Sequence, residues 1–168
     1  MTADQILAEA PGRFALAGAS MGGYVAFEIL RRAPEIEHEK TVAITDLLRE
    51  NSFAPTDLNA GPYDVLLGIQ ETRLHMKIGT QKVNGQLEVQ LALSPLKKTI
   101  KDYFIVCESY FEAVKSANPY RVQALDMGRR SLHDEGAEAL QRLLNGKIEV
   151  DFSTARRLFT LICVLHIK

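Results

Sequence analysis

The chain has 168 residues, 46% of them hydrophobic and 24% charged, a balance that supports one domain with a sizeable core and excludes disordered or fibrous classes. Twenty Lys and Arg against 21 Asp and Glu leave a net charge of −1, so no global field draws the protein to nucleic acid or an anionic membrane. Cys107 and Cys163 are too few for a disulfide framework and have no metal-ligand spacing; their apolar, helix-like surroundings fit buried reduced thiols.

In chain order, Asp4 to Ala10 reads as a short helix stopped by Pro11-Gly12, Phe14 to Ala17 as a strand, and Gly18 to Gly23 as a turn. Val25, Phe27, Ile29 and Leu30 then fit a helix that must end before Pro34. The opening stretch is not expected to act as a signal peptide, because Asp4, Glu9, Pro11-Gly12 and Glu28 interrupt it, and no apolar run reaches the roughly 18 residues a membrane span needs. The expected location is cytoplasmic.

From Glu35 a new helix runs to about Asn51, with Glu35, Glu37 and Glu39 at its positive dipole end. A polar loop, Ser52 to Pro62, precedes three alternating segments: Val65/Leu67/Ile69, Leu74/Met76/Ile78 and Leu87/Val89/Leu91/Leu93. Their links are too short for parallel crossovers, so they predict an antiparallel meander, with Asn84-Gly85 suited to a type I′ hairpin. Ser94-Pro95 predicts a capped helix through Ala117, and Asn118-Pro119 another that Gly136 interrupts and Asn145-Gly146 stops. Asp151 or Ser153 caps a last helix from Ala155 to Leu165.

Two stretches carry resemblances. Gly18-Ala19-Ser20-Met21-Gly22 is a Gly-x-Ser-x-Gly pattern, and "FALAGASMGGYVAFEILRRAPE" around it resembles the nucleophile-elbow segment of the α/β-hydrolase superfamily. The resemblance implies Ser20 as nucleophile and the Met21 N–H as an oxyanion donor. A serine hydroxyl needs a histidine base oriented by an acid. Ser20, Asp126 and His166 meet the order only numerically, since the last two fall in predicted helices, and the thirteen residues before Phe14 cannot hold the earlier strands of a parallel sheet.

Residues 35–168 look like a second family. "IEHEKTVAITDLLRENSFAP", "LKKTIKDYFIVCESYFEAVKSA", "LDMGRRSLHDEGAEAL" and "GKIEVDFSTARRLFTLICVLH" resemble small uncharacterised proteins known mainly from alphaproteobacteria, a kinship that implies no activity. The resemblance implies that members usually begin with a short strand-like segment of their own before the "EHE" helix; this sequence departs there, and Phe14 to Ala17 is a candidate to replace that segment in the sheet.

The richest polar cluster is "DMGRRSLHDE". On a helix Asp126, Arg130, His133 and Asp134 fall at i, i+4, i+7 and i+8, where His133 can serve as a general base or, with Asp134, begin a metal site. The plainer alternative is a solvated salt-bridged face. Lys97, Lys98 and Lys101 place three cations at a positive helix end and would gain from a bound anion. No paired-carboxylate or His-x-x-x-His motif supports a metal, and no cofactor motif is present.

Together these features predict an α+β fold: a three-stranded antiparallel meander packed with about four to five helices, plus an N-terminal strand-turn-helix. Residues 1–34 form a hydrolase-like elbow fragment and residues 35–168 the α+β domain. The expected function is non-catalytic, as an interaction or regulatory module with a protein partner or a small anion, and not with a membrane or nucleic acid. The alternatives are a serine hydrolase using Ser20, and an anion-binding protein or enzyme using Asp126, Arg130 and His133.

Overall fold

A computed structural model describes residues 14–17, 25–27, 34–59 and 61–166. In chain order the elements are β1 (Phe14–Ala17), β2 (Val25–Phe27), α1 (Pro34–Arg49), β3 (Phe53–Pro55), β4 (Asp64–Gln70), β5 (Arg73–Gly79) and β6 (Gln86–Ala92). A single 3₁₀ turn at Ser94–Leu96 leads into α2 (Lys97–Lys115), followed by α3 (Pro119–Leu144), β7 (Ile148–Val150) and α4 (Phe152–Leu165).

The period-two apolar residues build an antiparallel meander whose faces differ. Val65, Leu67, Leu74, Met76, Ile78, Val89 and Leu91 are buried, while His75, Lys77, Glu88 and Gln90 between them are half-buried or exposed. Ile44 and Leu47 of α1, Ile100, Tyr103 and Cys107 of α2, Leu140 and Leu144 of α3, and Leu158, Phe159 and Ile162 of α4 close over the apolar face as one core. The fold is α+β, as the pattern predicts.

The sheet is wider than the meander. β1 pairs antiparallel with β4, Phe14 opposite Leu67 and Ala17 opposite Asp64, and β2 pairs with β1, giving the order β2-β1-β4-β5-β6. Phe14 to Ala17 thus lies in the main sheet.

The segment Val25–Phe27 corrects the predicted strand-turn-helix. It is a strand, with Phe14 opposite Phe27 and Leu16 opposite Val25, where a nucleophile elbow requires a helix. Valine and phenylalanine favour extended pairing, and β1 offers it an unpaired row of backbone groups. The described residues therefore give the hydrolase likeness no support.

Local signals fared unequally. Asn118 caps α3 by accepting from Arg121 N at 3.1 Å, and Asp151 caps α4 by accepting from Thr154 N at 2.8 Å. Ser94 caps nothing: the chain enters the 3₁₀ turn first, and Leu96, fully buried, occupies the cap position of α2. Asn84-Gly85 makes no two-residue hairpin, because Thr80 to Gly85 all lie between β5 and β6. Gly136 does not interrupt α3. A Cβ there would stand 2.5 Å from three carbons of the Phe159 ring, so glycine lets α4 approach. The predicted loop after α1 contains β3, which pairs with β7 and fastens the end of α1 to the start of α4, where Ser52 N donates to Thr154 Oγ1 at 2.9 Å.

Candidate functional site

Where α1, α2 and α3 meet, the apolar core gives way to a polar cluster. Glu39 lies on the buried stripe of α1 with Ala43 and Leu47, one turn apart. A carboxylate there needs a partner, and α3 supplies it. Arg129 donates from one terminal nitrogen to Glu39 Oε1 at 2.6 Å and from the other to Asp126 Oδ1 at 2.8 Å. Arg130 Nε donates to Asp126 Oδ2 at 2.8 Å, so both oxygens of Asp126 are engaged. These guanidinium groups hold the Asp126 carboxyl below the usual carboxylate range, the Arg129 hydrogen bond first. The Arg129 guanidinium also stands 5.2 Å from the Tyr110 ring centroid.

His133 sits one turn further along α3, only 3% exposed, between the rings of Tyr103 and Phe159 at centroid distances of 5.0 and 6.5 Å. Neither ring nitrogen has a hydrogen-bond partner among the described residues. Its Nε2 is 4.0 Å from Glu39 Oε2, too far for a hydrogen bond, and Glu39 already answers Arg129. Burial, reinforced by Arg156, Arg129 and Arg157, pushes the imidazole down to about 3, so it is neutral at physiological pH. Tyr103 donates its hydroxyl to Glu39 Oε2 across 3.4 Å, and burial drives that phenol upward. Cys107 is pushed up to about 11, also by burial, and Cys163 is raised by the same cause. Both thiols stay protonated and unreactive.

The residues read from the sequence are only partly united. Asp126 and Arg130 form the predicted i,i+4 pair, but His133 turns into the core instead of sharing a solvated face with them. Asp134 points the other way, accepting from Arg156 Nε at 2.9 Å. Lys97, Lys98 and Lys101 are exposed on α2, and Lys98 is paired with Asp102 at 2.6 Å, which raises the Lys98 ammonium. Ser20 lies outside the described residues.

The sequence reading missed Glu39 and Arg129, the centre of the cluster. The signal was an acid on the apolar stripe of α1, matched by an arginine one turn before His133 on the inward face of α3. No group of three His, Cys, Asp or Glu able to hold a metal occurs among the described residues. A surface depression of about 450 Å³, lined by Glu138, Gln141, Arg142 and Asn145, involves none of the expected site residues.

The uncharacterised protein family UPF0262 matches residues 26–168. The chain belongs to that family. A UPF0262 protein from Brucella canis is 52% identical over 137 residues, covering 81% of this chain and 86% of the relative. One from Paramagnetospirillum magneticum is 51% identical over 139 residues, covering 83% and 88%. These organisms fit the alphaproteobacterial kinship read from the motifs, and the family description assigns no activity. No solved structure matches. No helix among the described residues is long and apolar enough to cross a membrane.

Proposed function

We propose that this chain is a non-catalytic interaction or regulatory module of the cytoplasm, carried by residues 35–168, with residues 1–34 as an N-terminal unit that adds β1 to the sheet. One observation carries the reading: the charged groups of the candidate cluster answer one another. Asp126 is taken by Arg129 and Arg130, Glu39 by Arg129, and Asp134 by Arg156. General acid–base chemistry needs a group within reach of a substrate and with a pKa near the working pH. His133 is sealed in the core and held near 3, and the two thiols are protonated. The network instead ties α1 to α3 through the Glu39–Arg129 pair, which is a structural task.

Active-site labelling of the full-length protein with a fluorophosphonate tests this, and no Ser20-dependent labelling is expected. Stoichiometric labelling that disappears in Ser20→Ala would sink the proposal in favour of a hydrolase. In the same preparation, inorganic phosphate at about 5 mM should leave the melting temperature unchanged. A rise of several degrees that vanishes when Lys97, Lys101 and Arg130 are neutralised would make this an anion-binding protein instead.

A further inference from the structure

β6 is the last strand of the sheet: β5 lies on one side, and among the described residues no strand lies on the other. Leu93 N donates to Thr72 O at 2.9 Å, which fixes the alternation of the ladder. The main-chain groups of Leu87, Val89 and Leu91 therefore point to β5, and those of Gln86, Glu88, Gln90 and Ala92 point outward.

Proteins blunt such edges with shortness, proline, lysine or a bulge. Elsewhere in this fold that is the pattern: β2, β3 and β7 are three residues each, and β3 contains Pro55. β6 has seven residues, reads Gln-Leu-Glu-Val-Gln-Leu-Ala, and pairs one-to-one with β5 over its whole length without a bulge. Its one charge, Glu88, stands opposite Lys77 and 3.5 Å from His75 Nδ1, so its own sheet already answers it.

The geometry points to a second copy of this chain as the occupant of this edge, β6 against β6 in antiparallel register about a two-fold axis at Val89. This inference rests on the interaction-module reading and names its partner. In that register Leu87 faces Leu91 of the second copy and Val89 faces its equivalent, so the apolar face continues across the axis. Glu88 faces Gln90 and Gln86 faces Ala92, the outward-pointing pairs, each exchanging two main-chain bonds. The other registers are worse. A shift of one residue puts apolar side chains against polar ones. A two-residue shift either way leaves two residues of each strand unpaired, and one of the two also sets Glu88 against Glu88 of the second copy. A foreign extended peptide could use the same backbone groups, but it would not need a sequence that is complementary to itself.

Sedimentation velocity of the full-length protein from about 10 µM to about 500 µM is the test, because mass action must move the equilibrium. The wild type is expected to shift from monomer to dimer across that range. Gln90→Pro removes an outward N–H that the monomer does not use and should remain monomeric with an unchanged melting temperature. Gln90→Glu, which faces Glu88 of the second copy, should weaken the dimer several-fold, and Gln90→Lys should strengthen it. A monomeric wild type at every concentration overturns the proposal, as does a dimer that Gln90→Pro and Gln90→Glu leave intact. Neither result touches the non-catalytic reading, which stands or falls on the labelling experiment.

Discussion

Acidification probes the buried imidazole directly. His133 titrates near 3 in the folded protein, because burial and the guanidinium groups of Arg156, Arg129 and Arg157 oppose its protonation. In the unfolded chain a histidine titrates near its ordinary value of about 6.5. Between those values the unfolded state binds a proton that the folded state refuses, so stability falls as the pH falls from about 6.5 toward 3. At about pH 5 the difference is about 1.5 units at 1.36 kcal/mol per unit, or about 2 kcal/mol. The depressed Asp126 carboxyl works in the same direction, but its contribution is lost only below the ordinary carboxylate range.

Comparison with His133→Leu isolates the effect, since the other three histidines and Asp126 are common to both proteins and cancel. Urea unfolding at about pH 7.5 and about pH 5 should show the wild type losing about 2 kcal/mol more than the variant. At the higher pH the variant should be as stable as the wild type or more so, because leucine removes two unpaired buried nitrogens. Equal losses in the two proteins would refute the reasoning, and so would a wild type whose stability is flat over the interval.

Two further predictions concern how the helices meet. Gly136→Ala gains about 1 kcal/mol of helix propensity, but its Cβ would collide with the Phe159 ring, an overpacking cost of about 1–3 kcal/mol. Net destabilisation is therefore expected, relieved by Phe159→Leu in the same chain; simple stabilisation by the propensity gain would show that the contact is not tight. Arg129→Met leaves Glu39, only 15% exposed, without its cation and should cost about 2–3 kcal/mol in urea unfolding. Glu39→Gln combined with Arg129→Met should cost less than the sum of the two singles, and strict additivity would mean the pair is not coupled.

The sequence made the meander and the four helices of the described residues legible because each rests on its own period. Val65 to Leu91 alternate, and Val122 to Leu144 recur every three or four residues, so local geometry and burial agree. The failures came where a remote partner decided the outcome. Val25 to Phe27 stands after glycines that predict a turn and is expected to be helical, but pairing with β1 makes it a strand. Phe53 to Pro55 is too short to announce itself, and only Ile148 to Val150, far along the chain, gives it a ladder. His133 shares the i,i+4 logic of Asp126 and Arg130, so the helical wheel placed it near them. Its burial depends on Tyr103 and Phe159, which belong to two other helices. The Glu39–Arg129 pair spans α1 and α3, and no window along the chain contains both residues.

The unpartnered nitrogens of His133 and the outward main-chain groups of β6 have opposite consequences, set by their surroundings. The His133 nitrogens are enclosed by aromatic rings, so their lost hydration is a standing cost that stays small only while the ring is neutral. The outward amides and carbonyls of β6 face solvent, where water satisfies them at little cost until another strand arrives. Each bond exchanged with that strand then adds only a modest net gain, so association depends on many such bonds forming together and on the apolar face of Leu87, Val89 and Leu91 meeting its copy. That is why a single proline at Gln90 is the decisive perturbation: it withdraws a donor, blocks close approach of the second strand at the middle of the register, and leaves the helical bundle and its ion pairs as they were.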